Sequence, residues 1–333
     1  MLFSIITCAY NPNPAVLAKL VKAVNALRID TRFDYEWLIV DNGSKPFVND
    51  VFLLKKSLSE QKHISIIRES KAGLTNARIT GLNQSKGDWI LFLDDDNEPV
   101  DDYLLHAYTL IHKYPFVKCW GPGHVNVRLL DPRIQSWIAN RKDMFQEKHI
   151  NNVIFSNEKM WSICHPAGTG MLIDKNILTG YVESVEKGRY TLTDRLGKSL
   201  SSGGDTQIVF HAVDQGMHVG LAPDLVINHN IEPRKSTFKY LKKQTYAGCK
   251  SFIKAHNEVL TNNRYELIYK DNVGVAKRVA RWLIGNYKQL FSPIVALDFF
   301  ALLGNLHAPY FASDQNPPRL LKWLVYVFVN DKK

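Results

Sequence analysis

The chain has 333 residues, of which 45% are hydrophobic and 22% charged, and a formal net charge of +10. That size and balance fit one large globular domain with an appendage and exclude a disordered tract. The positive excess suits a polyanionic substrate, an anionic membrane surface or a nucleic acid. Cys8, Cys119, Cys164 and Cys249 lie far apart with no CxxC pair. Neither a zinc site nor a disulfide framework is expected, and a reducing cytosol fits. The opening MLFSIITCAYNPNP has no basic stretch and runs straight into a strand pattern, so it does not read as a signal peptide. No run of about 18 apolar residues occurs, so no ordinary transmembrane helix is expected.

Phe3–Ala9 predicts a strand, stopped by Tyr10-Asn11-Pro12-Asn13-Pro14. Asn13 is placed to cap a helix over Ala15–Leu27, with Pro14 at its first position. Tyr35–Val40 predicts a second strand that ends in Asp41-Asn42-Gly43-Ser44. An Asp at the carboxyl end of a buried strand sits where open α/β sheets bind nucleotides, and its oxygens suit a base N–H or ribose hydroxyls. An Asn-Gly turn with a helix cap explains the same residues. Val51–Ser59 predicts a helix and His63–Arg68 a third strand. Gly73 loosens the next turn, and Thr75–Gln84 predicts a helix with Asn76 and Arg78 near its start.

Trp89–Leu93 reads as a strand buried on both faces, and it empties into Asp94, Asp95, Asp96, Asn97 and Glu98. Three carboxylates within about 7–10 Å of backbone repel one another unless a cation sits among them. Hard oxygen ligands suit Mg²⁺ or Mn²⁺ with a diphosphate completing the shell. The plainer alternative is an acidic turn after a strand. The first hundred residues thus alternate strand and helix, which predicts a parallel sheet covered by helices.

SIITCAYNP, IVDNGS, KAGLTNARITGLNQSKGDWILFLDDDN and the later SSGGDTQIVFHAVDQG, in this order, resemble the successive motifs of family 2 glycosyltransferases over roughly residues 2–250. The resemblance implies a GT-A fold, a nucleotide-sugar donor, a DxD metal motif holding Mn²⁺ or Mg²⁺, and inversion at the anomeric carbon. Where the family has Pro-Thr before its Tyr-Asn, this chain has Cys8 and Ala9. Donor contacts there fall to the backbone at Ala9 and to Tyr10.

Further along, Asp101–Tyr114 predicts a helix, and Phe116–Trp120 a strand closed by Gly121-Pro122-Gly123. Val125–Phe155 reads as a helix and a mobile loop, either a cover for the donor or a solvated connection. Ala167-Gly168-Thr169-Gly170 allows close approach of backbone to a ligand and resembles the family segment beside the donor sugar. Met171–Ile173 returns to the core, and Tyr181–Leu196 shows no clear pattern. Asp205 stands at a predicted helix start, where it is either an N-cap or a reactive carboxylate. In the family this segment reads Glu-Asp and the Asp is the catalytic base. Asp205 matches it, while Gly204 replaces the Glu. Asp224 and Glu183 are the next carboxylates to consider as base.

Leu221–Asn228 predicts a strand, with His229 just past its end. His229 is either a satisfied polar residue or, as in some GT-A enzymes, a metal ligand beside Asp96. Arg234 and Lys235 are suited to a departing diphosphate. Phe238–His256 predicts a helix.

From Val273 on, basic residues stand beside Trp, Phe and Leu in VAKRVARWLIGNYKQLF, followed by apolar Leu297–Leu306 and Leu320–Val329. This suggests helices lying in a membrane interface, or an appendage packed on the main domain.

The expected division is a catalytic domain over 1–256, with a nucleotide-binding half (1–100) and an acceptor half (101–256), and a helical appendage over 257–333. The expected activity is transfer from a nucleotide-diphosphate sugar, a UDP-sugar favoured, to a saccharide or lipid-linked acceptor in cell-surface polysaccharide synthesis. The donor-binding set implied is Ala9, Tyr10, Asp41, Gly73, Arg78, Asp94, Asp95, Gly168 and Arg234; the metal set is Asp96 and His229; the base is Asp205. The expected location is the cytoplasm, at the inner face of the plasma membrane. A catalytically degenerate, sugar-binding scaffold of the same fold is the alternative. No nucleic-acid partner is expected, because that reading leaves the three aspartates unexplained.

Overall fold

The structure, a computed structural model, describes residues 1–50, 63–195 and 203–330. The helix expected over Val51–Ser59 and the residues Ser201 and Ser202 lie outside them.

The described strands form one ten-stranded sheet. Its first part is parallel: β1 (Leu2–Ala9) lies between β2 (Asp34–Asp41) and β4 (Trp89–Phe92), and β2 is flanked by β3 (Ile64–Arg68). Beyond β4 the sheet is mixed. β9 (Met171–Asp174) inserts antiparallel between β4 and β6 (Val117–Leu129), and β6 pairs in parallel with β10 (His218–Ile231). β5 (Asn97–Pro99) closes the edge antiparallel to β10. β7 (Lys148–His149) and β8 (Ile154–Ser156) are short additions on β6 and β10.

Side chains alternate along these strands and divide the core between the two faces. Phe3, Ile5, Trp37, Ile39 and Leu91 meet α1 (Pro14–Asn25) and α3 (Tyr103–Lys113) on one face. Ile6, Leu38, Val40, Ile90 and Phe92 meet α2 (Leu74–Gln84), α5 (Lys175–Glu186) and α6 (Gly204–Asp214) on the other. Asn13 caps α1 as its side-chain oxygen accepts from Ala15 N–H at 3.0 Å, with Pro14 opening the helix.

Gly121-Pro122-Gly123 does not end a strand; β6 continues through it to Leu129. The glycines serve close approach instead. A Cβ at Gly121 would lie 2.8 Å from Pro166, and one at Gly123 would lie 2.6 Å from the Ala222 carbonyl. The stretch expected as a helix and loop over Val125–Phe155 holds the end of β6, a four-residue helix α4 (Ser136–Ala139), β7 and most of β8. The strand residues in it pair with partners distant in sequence, β6 and β8 with β10 and β7 with β6. The patternless Tyr181–Leu196 begins inside α5, whose inward residues Leu178, Tyr181 and Val182 are separated by polar ones. His229 lies within β10, not beyond it.

A third core joins the C-terminal helices to the sheet. Val125 and Val127 of β6 and Ile231 of β10 share it with Leu241 and Tyr246 of α7 (Phe238–Val259) and Val275 of α8 (Asn272–Asn286). Leu297, Phe300 and Leu303 of α9 (Pro293–Ala312) and Leu321 of α10 (Arg319–Leu324) complete it. The boundary expected at residue 256 falls inside α7, so the appendage is continuous with the domain. By length and composition α9 is apolar enough to cross a membrane, although it contains no unbroken apolar run of that length. Yet 44% of its apolar window is buried inside the protein. His307 Nδ1 and the Tyr246 hydroxyl, 2.5 Å apart, tie it to α7.

His165 is buried with both ring nitrogens unpartnered, packed on Phe210 and Trp161. Burial pushes its pKa from 6.5 down to about 4, and that of His307 likewise to about 4. The unfolded chain therefore binds protons that the folded chain refuses. Stability is full above about pH 6.5 and falls as pH drops towards 4. His165→Leu should remove on the order of 1 kcal/mol of that loss at about pH 5.5. Urea unfolding of both proteins at neutral and acidic pH measures it; equal pH slopes would refute the assignment.

Candidate active site

The residues singled out from sequence fall into two groups around the carboxyl ends of β1, β2 and β4. The first surrounds Asn42. Its backbone N–H donates to the Ala9 carbonyl at 2.8 Å. Its side-chain oxygen accepts from Gly73 N–H at 2.7 Å, and its amide donates to the Lys71 carbonyl at 2.8 Å. Gly73 has φ of +123°, a conformation glycine takes at little cost, and it opens α2. Tyr10 is exposed at the end of β1. Asn42 thus ties Ala9 and the Gly73 turn together, a role its place in an Asn-Gly pair did not reveal.

Asp41 departs from its expected role. It is fully buried, and its two oxygens accept from Ser44 N–H and Val48 N–H, both at 2.8 Å. A carboxylate closed off in this way shapes the loop over residues 42–48. Direct contact with a nucleoside requires that loop to move.

The second group carries the charge. Asp94, Asp95 and Asp96 follow β4, and the Asn97 side chain accepts from Asp94 N–H and donates to Asp96 Oδ1. Lys235 Nζ lies 2.5 Å from Asp96 Oδ2, and His229 Nε2 lies 3.5 Å from Asp96 Oδ1. Burial opposes ionisation of Asp96, but Lys235 and His229 outweigh it and hold the carboxyl well below its usual range. Asp95 moves the other way: burial and then the neighbouring Asp96 charge raise it. Among the described residues the Asp94 and Asp95 carboxylates take no ion pair.

Arg78 sits between carboxylates. Its Nη1 lies 3.1 Å from Asp194 Oδ2, and both side chains are nearly buried. Burial disfavours the guanidinium charge, but Asp194, Asp205 and Asp94 raise its pKa overall. Burial also pushes the adjacent Cys8 thiol up to about 12, so it stays neutral. Asp205 is the second residue of α6, where the helix dipole favours a negative charge. Its Oδ2 accepts from Gly168 N–H and its Oδ1 from Thr206 N–H, both at 2.9 Å. A Cβ on Gly168 would lie 3.3 Å from both Arg78 Nη2 and Asp205 Oδ2, so the absence of a side chain there permits the approach. The fallback carboxylates stand apart: Glu183 pairs with Lys187 in an exposed i,i+4 bridge, and Asp224 is exposed beside a bulge in β10.

Arg234 is held by Glu232 Oε1 at 2.8 Å with its side chain largely exposed, and Asp95 contributes to its field. For a divalent cation the donor types fit. His229 Nδ1 lies 3.0 Å from the Phe145 carbonyl, an arrangement that leaves Nε2 facing Asp96. One imidazole and one carboxylate leave the remaining positions to diphosphate oxygens. Among the described residues no group of three or more His, Cys, Asp or Glu side chains is arranged around one point. Lys235 must leave Asp96 Oδ2 for a cation to bind there.

Asp194 had no signal in the sequence, since it lies in the patternless stretch. A Cβ on Gly204 would lie 2.7 Å from Asp194 Oδ2. The carboxylate of Asp194 therefore fills the space that a side chain at position 204 would enter. Gly204→Glu should destabilise the fold, and Asp194→Ala should cost up to about 3 kcal/mol because it strips Arg78 of its nearest partner. The double variant should recover on the order of 1–2 kcal/mol relative to additivity. A double-mutant cycle by urea denaturation tests this; purely additive losses would refute it.

The profile of Glycosyl transferase family 2 matches residues 4–181. The succinoglycan biosynthesis protein ExoW of Rhizobium meliloti (strain 1021) is 28% identical over 115 residues, 34% of this chain and 34% of that protein. Glycosyltransferase AglE of Haloferax volcanii is 26% identical over 229 residues, 68% of this chain and 66% of that protein. The match to ExoW thus spans about a third of that relative's length. The crystal structure of S. aureus TarS 1-349 aligns over 94% of this chain and 91% of that one, with 14% identity and a TM-score of 0.47. The family profile covers more than half of the sequence and ends in α5, so it takes in Asp94–Asp96, Arg78 and Gly168; the chain belongs to glycosyl transferase family 2.

Proposed function

We propose that this chain is an inverting glycosyltransferase that moves a sugar from a nucleoside diphosphate donor, a UDP-sugar in the first instance, to a hydroxyl of a saccharide or lipid-linked saccharide. The observation that carries this reading is the Asp205 carboxylate, pinned by Gly168 N–H and coupled through Arg78 to the aspartates after β4. The relative ExoW is a succinoglycan biosynthesis protein, which supports a polysaccharide as the product class.

In this reading the acceptor oxygen attacks the anomeric carbon while Asp205 takes its proton. The bond from that carbon to the diphosphate oxygen breaks, and its electron pair leaves with the diphosphate. Arg234 and Lys235, on the loop after β10, are the cations placed to meet the growing charge. Asp96 and His229 would hold Mn²⁺ or Mg²⁺. That ion would supply further stabilisation of the leaving diphosphate. Arg78, whose charge Asp194, Asp205 and Asp94 favour, balances the negative charge of the site without being consumed.

A non-catalytic, sugar-binding reading draws on two observations: Lys235 already neutralises Asp96, and Gly204 lacks the family's Glu. Donor hydrolysis measured with and without Mn²⁺ separates the two, because a scaffold would show none.

Asp205→Asn keeps the size of the side chain and one of its two acceptor oxygens but cannot take a proton. Turnover should fall by about two to four orders of magnitude with nucleotide affinity nearly unchanged. Loss of affinity and turnover together would instead make Asp205 a structural residue. Asp96→Ala should abolish Mn²⁺-dependent donor binding in calorimetry while the circular dichroism spectrum persists. An unchanged Mn²⁺ requirement would remove Asp96 from the metal site.

A further inference from the structure

α8 is divided lengthwise into three sectors. Val275, Val279, Trp282 and Asn286 face inward, with Val275 fully buried. A second sector is apolar but turned to solvent. Val273 is 57% exposed, Ile284 74% and Tyr287 65%, with Leu283 beside them. The turn that follows adds Leu290 and a fully exposed Phe291. The third sector is basic: Lys277, Arg278, Arg281 and Lys288 flank the apolar stripe. From Asn272 to Leu297 the chain has no acidic residue.

Scattered exposed apolar residues need no explanation, but a stripe of this kind does. Behind it, inward-facing Trp282 packs on Phe299 at 5.0 Å between ring centroids, and Phe299 packs at 5.6 Å on Phe328, which is itself 42% exposed.

We propose that this face of α8, with the turn through Phe291, docks on an anionic lipid bilayer, lying in its interface with the apolar stripe among the acyl chains. Charge complementarity selects this occupant. Four cations with no intervening anion suit lipid phosphates, and a tyrosine and a phenylalanine at the rim suit the headgroup level. The neighbouring α9 is packed against α7. A Cβ on its Gly304 would lie 2.6 Å from the Tyr246 carbonyl, and Lys254 and Asp314 pair at 2.7 Å across its end, so it is built into the domain. Docking does not depend on the transfer reaction and survives if that reading fails.

Flotation or sedimentation of the full chain with phosphatidylcholine vesicles, with and without phosphatidylglycerol, tests the proposal. Binding is expected only with the anionic lipid, and it should weaken at high salt, because screening shortens the reach of the cations. Ile284→Asp combined with Phe291→Asp should lower the partition coefficient about tenfold or more. Both positions are exposed, so the fold should persist by circular dichroism. Lys277→Glu with Arg281→Glu should abolish the preference for phosphatidylglycerol. Equal binding of wild type and either double variant would overturn the proposal, as would equal binding to neutral vesicles. A lipid-free dimer that the Ile284/Phe291 variant dissociates would assign the face to a second copy of the chain and overturn it as well.

Discussion

Six carboxylates, Asp94, Asp95, Asp96, Asp194, Asp205 and Glu232, crowd the end of β4 and the segments facing it. The site depends on how that charge is held. Isolated buried carboxylates cost several kcal/mol each, so a cluster persists only with cations threaded through it. Arg78 serves Asp194, Asp205 and Asp94; Lys235 serves Asp96; Arg234 serves Glu232. Arg78 and Lys235 come from different stretches of chain than the carboxylates they pair with, whereas Arg234 pairs within its own loop. Charge balance is therefore also what fixes α2, α6 and the loop after β10 relative to one another.

The two ends of this network are built differently. Around Arg78 the packing is tight: a Cβ at Gly204 would lie 2.7 Å from Asp194 Oδ2 and one at Gly168 3.3 Å from Asp205 Oδ2, and Asp205 is fixed by two backbone N–H groups. Pre-set donors and a fixed carboxylate suit a group that must meet its partner without reorganising. Around Asp96 the contacts come from side chains, Lys235 and His229 among them. Lys235 lies on the loop after β10, and its ammonium meets Asp96 Oδ2. A lysine carries a flexible stem and a compact charge, so it can yield to a stronger cation and turn to a phosphate.

The C-terminal helices reach the site from behind. Ile231 closes β10 in the same core as Leu297 and Phe300 of α9, two residues beyond His229. Phe145, whose carbonyl faces His229 Nδ1, is buried in that core too. The end of β10 beyond His229 and the Nδ1 partner of His229 thus share one core with helices that lie beyond residue 256. The same helices turn the basic and apolar face of α8 outward, away from that core.

Much of this was legible in the sequence. Local signals determine local structure: Asn13-Pro14 starts a helix, the apolar alternation of β1 and β2 divides two cores, and the buried strand β4 empties into Asp94-Asp95-Asp96. The order of motifs pointed to the family because successive strand ends meet at one edge of a wound sheet. What the sequence could not determine is which side chains share space across long separations. Asp194 fills the volume beside Gly204 from a segment with no periodicity of its own. Asp41 looked available, yet Ser44 and Val48 close the loop over it. Gly121-Pro122-Gly123 looked like a stop, yet β10 and Pro166 require that backbone to pass close. Periodicity and caps are properties of neighbours along the chain, whereas ion-pair partners and excluded volume exist only once distant segments have packed, and that was left to the tertiary structure.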